Sequence, residues 1–265
     1  MTETVIQNRY TERLYRTDLQ QLIEKHYREG YVKTSQRLQQ IDKMIAQPYE
    51  HIWDCCCDHG LLGYLLLRRD AARTVHFVDV IEPLIAEVRG KLQRYFTEGF
   101  PEHAWQVHCT DVAKLQLSEA ALANADSIHL IIIAGVGGDL LIELVEGLVN
   151  ANPTQKMEFL LCPVLHNYKV RAALVDMNFG LINEHLICEN NRFYEILHVA
   201  MGVEQPISLT GSLMWDLSRE EDLTYLERTI SHYQRMAQNP NRDVEQILFD
   251  YKALRPECSA RLVES

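Results

Sequence analysis

The chain has no apolar run near the roughly 20 residues that a helix needs to cross a bilayer. Its first residues, Met1-Thr2-Glu3-Thr4, lack the basic-then-apolar pattern of a secretory leader. No membrane partner is expected, and the cytoplasm is the expected compartment. Paired cysteine spacing is missing too. Seven cysteines, at 55, 56, 57, 109, 162, 188 and 258, make an odd number without any C-x-x-C, which argues against a disulfide framework and against a zinc cluster. Adjacent thiols on an extended strand point to opposite faces. Cys55, Cys56 and Cys57 therefore read as free thiols, and no metal is expected.

A basic excess is also lacking. The formal charge is −11, whereas a general nucleic-acid binder normally carries a basic footprint. DNA is not an expected partner. The charge is unevenly spread, however: residues 1–43 carry a net +2 and the remainder −13. A polyanion would be better received near the N-terminal segment. No Walker loop and no G-x-G-x-x-G is present, so a backbone cradle for pyrophosphate is not expected either.

What is present is a rhythm of alternating elements. Residues 9–29, with Leu14, Leu19, Leu22 and Ile23, read as an amphipathic helix, and Ser35 is placed to cap a second one. Short apolar runs then alternate with helical stretches. Strands are expected over 52–57, 75–79, 105–109, 128–134 and 159–162, with helices over 61–69, 83–97, 138–148 and 168–177. The run Ile128 to Ala134 is the most continuous aliphatic segment and reads as a strand buried on both faces. Two further strands, 181–189 and 192–201, are joined at Asn190-Asn191 as a hairpin. Apolar positions at 223, 226, 230, 233 and 237, then at 244, 247, 251 and 254, predict a helical hairpin around Asn239-Pro240-Asn241. The whole is an α/β, Rossmann-like doubly wound sheet with helices on both faces. The domain division is 1–47, an N-terminal helical extension; 48–204, the sheet domain; and 205–265, the helical hairpin.

Open sheets of this kind bind ligands at the carboxyl ends of their strands. The first loop offers Asp54, Cys56, Asp58 and Gly60 at alternate positions, Asp79 follows 25 residues after Asp54, and Asp111 ends the third strand. Carboxylates at those ends can accept bonds from ribose hydroxyls and an adenine amine. They can equally cap the next helix, and both readings stand here. Asp58 would repel a pyrophosphate but tolerate a sulfonium cation, which favours S-adenosylmethionine over NAD. After the fourth strand, Gly135-Val136-Gly137-Gly138 would let two ligands meet without intervening side chains, though tight packing at a helix start would also use glycine.

With these residues in view, the chain resembles the bacterial tRNA (adenine-22-N1)-methyltransferase family. The resemblance runs from about Arg37 to Ala200 and rests on Ser35-Gln36-Arg37-Leu38, on Asp54 through Leu62 around Asp58-His59, on Ile133 through Gly138, and on Tyr194-Glu195. The chain departs from the family's pattern with Cys56 and Leu61 in the first loop and Cys162-Pro163-Val164 after the fifth strand. The resemblance implies a class I methyltransferase that takes S-adenosylmethionine, releases S-adenosylhomocysteine and methylates the ring N1 of an adenine in the D-loop region of tRNA. It implies Asp58 and His59 as catalytic residues. The cofactor would be held by Asp54, Cys56, Gly60, Leu62, Asp79 and Val80, with Asp111, Val112, Ala134 and Gly135. The substrate would meet Arg37, Val136, Gly137, Gly138, Pro163, Asn167 and Tyr194. Cationic contacts to RNA are sought among Arg9, Arg13, Arg16, Lys33 and Arg37, and among Lys169, Arg171 and Arg192. A monomer or weak dimer is expected. Rival readings are a methyltransferase for a protein or small molecule, a non-catalytic cofactor-binding module, and an NAD enzyme.

Overall fold

The computed structural model describes residues 35–96, 100–117, 127–239 and 243–255. The helix expected over 9–29 lies outside them, as do Pro240 and Asn241 of the expected turn. The first described helix, α1 (Gln36–Met44), starts as its sequence predicts: Ser35 Oγ accepts from Leu38 N–H at 3.2 Å. There follow β1 (Tyr49–Cys55), α2 (Leu61–Arg68), β2 (Ala72–Asp79), α3 (Glu82–Tyr95), β3 (Trp105–Cys109) and a 3-10 turn (Val112–Lys114). Then come β4 (Ile128–Ala134), α4 (Gly138–Ala151), β5 (Lys156–Cys162), α5 (Asn167–Asp176), the strands β6 (Phe179–Glu189) and β7 (Arg192–Met201), and the helices α6 (Glu220–Met236) and α7 (Glu245–Ala253).

The seven strands form one sheet in the order β3-β2-β1-β4-β5-β7-β6. β1, β2 and β3 run parallel, and β7 runs antiparallel to both β5 and β6. The expected doubly wound α/β sheet is thus observed. Its closing hairpin folds so that β7, the second strand, inserts beside β5. Strand order reverses between β1 and β4, the place where open α/β sheets bind ligands. Among the described residues no helix is long and apolar enough to cross a membrane.

Packing divides the chain into two compact units, residues 1–132 with 146–157, and residues 133–145 with 158–265. In the first, Ile52, Trp53, Val75, Phe77 and Val78 are buried. Trp53 stacks on His76 at 3.7 Å between ring centroids, and His76 bonds His51 and His108, each at 3.0 Å. Burial, then the neighbouring imidazoles, holds His76 well below its ordinary value, so this central ring is neutral.

α2 lies close against β2 because residue 63 has no side chain. A Cβ at Gly63 would fall 2.2 Å from the Phe77 ring. Replacing Gly63 by Ala is therefore expected to destabilise the fold by about 1–3 kcal/mol, read as a lower urea midpoint. Trimming Phe77 to Leu in the same protein should recover part of that loss.

In the second unit, Phe159 to Cys162 of β5 and Ile196, Leu197 and Val199 of β7 are buried. The β6–β7 turn works because Asn190 and Asn191 both take left-handed backbone, φ 52° and 60°. Tight hairpins need two such positions and asparagine supplies them cheaply. Most of the seam predicted for the last two helices is observed: Leu226, Ile230 and Tyr251 are buried together, with Tyr233, Ile247 and Leu254 packed around them, while Leu223 and Ala237 at its ends are exposed.

Candidate functional site

The first unit gathers its polar groups at the carboxyl ends of β1, β2 and β3. Asp54, within the expected strand 52–57, is the penultimate residue of β1 and is buried. Its Oδ2 accepts from Gly63 N–H at 2.9 Å. Burial drives its carboxyl up to about 7, against the Gly63 bond and with a further push from Asp79. The raised value makes the folded protein hold a proton that the unfolded chain releases near its ordinary value of 3.8. Stability from this group is then full below that value and is lost as pH rises through about 7. Asp54→Asn, which keeps the acceptor for Gly63, should remove that slope. Its urea midpoint is expected to gain on the wild type steadily between pH 4 and 8.

Beyond β1 the chain turns sharply without the usual glycines. Cys56 and Asp58 take left-handed backbone at φ 55° and 52°, and Gly60 at 73° precedes α2. The turn is held by Cys57 N–H on Val78 O at 3.1 Å and by Asp58 N–H on Asp79 Oδ2 at 3.1 Å. Asp79 Oδ1 also accepts from Ile81 N–H at 3.0 Å. Asp79 is thus a staple between the β1 and β2 loops. Asp111 Oδ1 accepts from Ala113 N–H at 3.0 Å and caps the 3-10 turn. Asp111 does the capping that sequence alone could not exclude, whereas Asp79 bonds main chain ahead of α3, which has no side-chain cap. Each carboxylate has about four lone-pair sites, so neither is exhausted by these bonds.

The side chains that face solvent at this rim are those of Asp58, 71% exposed, and His59, 50% exposed. His59 Nε2 lies 3.6 Å from Asp58 Oδ1, and its Nδ1 lies 3.4 Å from Glu87 Oε2 on α3. At these lengths the contacts are electrostatic rather than strong hydrogen bonds. Glu87 was not singled out in the sequence; its i,i+4 pairing with Lys91 reads there as an ordinary helix surface. Val80 is 63% exposed beside this rim, while Leu62 and Val112 are buried and can offer only main chain. Burial, reinforced by Asp79, Asp54 and Asp111, pushes the Cys56 thiol up to about 11. It stays protonated at neutral pH and is no nucleophile.

The second unit carries the other expected rim residues. Gly135 takes φ 89° and its N–H donates to Cys162 O at 3.0 Å; Val164 N–H donates to Val136 O at 2.9 Å. The loops after β4 and β5 are stitched further by His166 Nδ1 and Lys169 Nζ on Asp139, at 3.1 and 2.6 Å. A Cβ at Gly138 would meet Leu165 O at 2.6 Å, so this glycine serves packing. A Cβ at Gly137 would meet nothing within 4 Å, which leaves open space beside that residue. Pro163 is buried, Tyr194 partly so, and Leu165 is 61% exposed.

One expected RNA contact is corrected. Arg171 has no exposed surface; its guanidinium pairs with Glu184 and Glu195, both at 2.7 Å. A charged residue on a helix reads as solvated until its two acids, on β6 and β7, are seen in three dimensions. Lys169 is engaged by Asp139, Arg192 is exposed, and Arg37 on α1 is partly buried. Arg9, Arg13, Arg16 and Lys33 lie outside the described residues. Among the described residues no group of three or more His, Cys, Asp or Glu could hold a metal.

Residues 34–197 match the sequence model of a methyltransferase domain. No curated protein matches the chain at a significant level. Among solved structures the chain is similar to the m1A22 tRNA methyltransferase TrmK of B. subtilis, at 18% identity and TM-score 0.60, covering 88% of this chain and 97% of that one. It is similar to M. capricolum TrmK in complex with S-adenosyl-homocysteine, at 16% identity and TM-score 0.59, with 82% and 92% covered. A Streptococcus pneumoniae candidate tRNA (m1A22) methyltransferase, in complex with S-adenosyl-L-methionine, matches at 20% identity and TM-score 0.62, with 82% and 95% covered. At these identities the likeness establishes the fold. The sequence match over 34–197 goes further: the chain belongs to the methyltransferase domain family.

Proposed function

We propose that the protein is an S-adenosylmethionine-dependent methyltransferase that modifies N1 of an adenine in the D-loop region of tRNA, position 22 by likeness to its neighbours. The observation that carries this is the rim of the first unit: Asp79 and Asp111 keep unused lone pairs at two strand ends, and the exposed Asp58–His59 pair stands beside them. Those acids suit the hydroxyls and amine of a nucleoside carrying a cation, and a carboxylate at Asp58 is unsuited to pyrophosphate. The named relatives, one bound to S-adenosyl-L-methionine and one to S-adenosyl-homocysteine, support the choice.

The cofactor supplies an electrophilic methyl group on a sulfonium. The protein's part is to position, since adenine N1 has a usable lone pair and needs no covalent intermediate. Asp79 would hold the ribose hydroxyls, Asp111 with exposed Val80 the adenine end, and Asp54, Cys56, Gly60, Leu62, Val112, Ala134 and Gly135 the remaining contour. Methylation leaves the target base cationic. Asp58 would stabilise that charge, with His59 orienting it. The open space at Gly137, with Val136, Gly138, Pro163, Asn167 and Tyr194, would receive the base once it leaves its stack, and Arg37 would contact the substrate RNA. The extension 1–47 and the hairpin 205–265 would serve either packing or a grip on the substrate.

The test is methyl transfer from labelled S-adenosylmethionine to bulk tRNA, with the modified base mapped by primer extension. Label at N1 of adenine 22, with binding that weakens steeply as salt rises, is the expected result. The charge of −11 favours a second reading, a protein or small-molecule substrate. Label in protein, with none in tRNA, would establish that reading instead.

A further inference from the structure

Four histidines cross the first unit on neighbouring strands: His108 on β3, His76 on β2, His51 on β1 and His129 on β4. His76 and His129 have no exposed surface, and Trp53, which touches both, is 2% exposed. Interior strands of a parallel sheet are ordinarily aliphatic at such positions. Proton supply fixes the state of His129. Trp53 Nε1 lies 3.1 Å from His129 Nδ1. An indole nitrogen only donates, so Nδ1 is the bare, accepting nitrogen and the ring's proton sits on Nε2. A second proton has one place to go, Nδ1, where it would point at the indole N–H. The ring is also stacked on His51, at 5.0 Å between centroids and 14° between planes. Protonation therefore breaks the Trp53 bond and turns His129 against that stack. His76 differs. Its nitrogens face His51 and His108, each at 3.0 Å, and with two protons it could donate to both.

The groups that face His129 point the same way. Burial, then the His51 ring, lowers its imidazole to about 4, and the Gln155 side chain works in the opposite sense. His51 in turn faces Glu50 and Arg73, whose effects on it oppose each other. We propose that the Trp53–His129 bond is an acid-sensitive latch between β1 and β4: the closed sheet cannot admit a second proton at His129 without breaking the bond, so acid favours the opened state. The latch lies where strand order reverses. Trp53 directly precedes Asp54, whose carboxyl holds α2 through Gly63 N–H, so opening the latch loosens the cofactor rim as well. The latch is independent of which substrate the enzyme takes. The unfolded chain accepts the proton near the ordinary 6.5 and the folded one only near 4. Stability from His129 is then full above the first value and is lost as pH falls toward the second.

The experiment compares folding constants from urea titrations at pH 7 and pH 5 in wild type and His129→Asn. Asparagine sets Oδ1 where Nδ1 stood, keeps an acceptor for the indole and cannot be charged. Between those pH values the wild-type constant should fall roughly 20-fold more than that of His129→Asn, since one differential proton is worth up to about tenfold per pH unit. Packing lost with the ring lowers the variant's constant equally at both pH values and leaves the comparison intact. Trp53→Phe keeps a ring on His76 but removes the opposing N–H, and should flatten the acid slope in the same direction. Nitrogen NMR of the wild type reads the bond directly. At pH 5, His129 Nδ1 should still resonate as a bare nitrogen with a scalar coupling to Trp53 Nε1. The indoles of Trp105 and Trp215, bonded to Phe96 O and Thr210 O, supply reference signals whose partners do not titrate. An acid slope equal in wild type and His129→Asn, or an imidazolium at His129 at pH 5 with the indole bond intact, overturns the proposal.

Discussion

Replacing Asp58 by Asn is expected to lower kcat/KM on tRNA by about 10²- to 10⁴-fold, the range for a positioned charge or proton acceptor, and to leave S-adenosylhomocysteine affinity nearly unchanged. The choice of asparagine follows from the backbone. Residue 58 sits at φ 52°, a conformation that Asn and Asp tolerate and that alanine resists. An alanine there would mix strain in the first loop with loss of the carboxylate. Asparagine retains the turn and also the main-chain N–H that Asp79 receives. The side chain points to solvent, so its removal from charge costs the fold little. Affinity for the product is read by calorimetry and transfer by single-turnover kinetics. Equal turnover in Asp58→Asn and wild type would remove Asp58 from the chemistry. A parallel loss of affinity and rate would make it a cofactor-binding residue instead.

Much of the fold was legible because its signals are local. Ser35 announces α1, the aliphatic run Ile128 to Ala134 announces β4, and Asn190-Asn191 announces the turn between β6 and β7. The site was less legible because its geometry depends on partners distant in sequence. Asp54 looks like a ligand-binding acid, yet its carboxyl is buried and bonded to Gly63 N–H. In the sharp turn after β1 only Gly60, which precedes α2, is a glycine. The rest of that turn is hidden because Cys56 and Asp58 adopt the left-handed backbone that glycines would signal. Of three glycines at 135–138, packing claims Gly138 and backbone conformation claims Gly135, which leaves Gly137 with open space. The count of glycines could not apportion these roles.

Arg171 shows the same limit with a larger energetic consequence. Its guanidinium is fully buried between Glu184 and Glu195 and also donates to Ser208 O at 3.0 Å. Arg171→Met is expected to cost about 3–5 kcal/mol, because two buried carboxylates lose their only guanidinium. For a chain of this size that lowers Tm by roughly 10 °C or more. The pH dependence separates lost charge from lost packing. Burial alone would raise the Glu184 carboxyl; Arg171 and the N–H groups of Ser212 and Leu213 outweigh it and hold it below its ordinary value of 4.5. In the wild type this group stabilises above that value and ceases to do so as pH falls. Without Arg171 burial wins, the carboxyl shifts upward, and the folded variant prefers the protonated acid. The deficit of Arg171→Met relative to wild type should therefore shrink as pH is lowered toward 4 and widen toward 8. Adding Glu184→Gln and Glu195→Gln, which keep acceptors for Leu213 and Tyr225, should restore much of the loss at neutral pH. A deficit that is constant with pH, and untouched by the two glutamines, would mean that Arg171 acts through its volume and not through its charge.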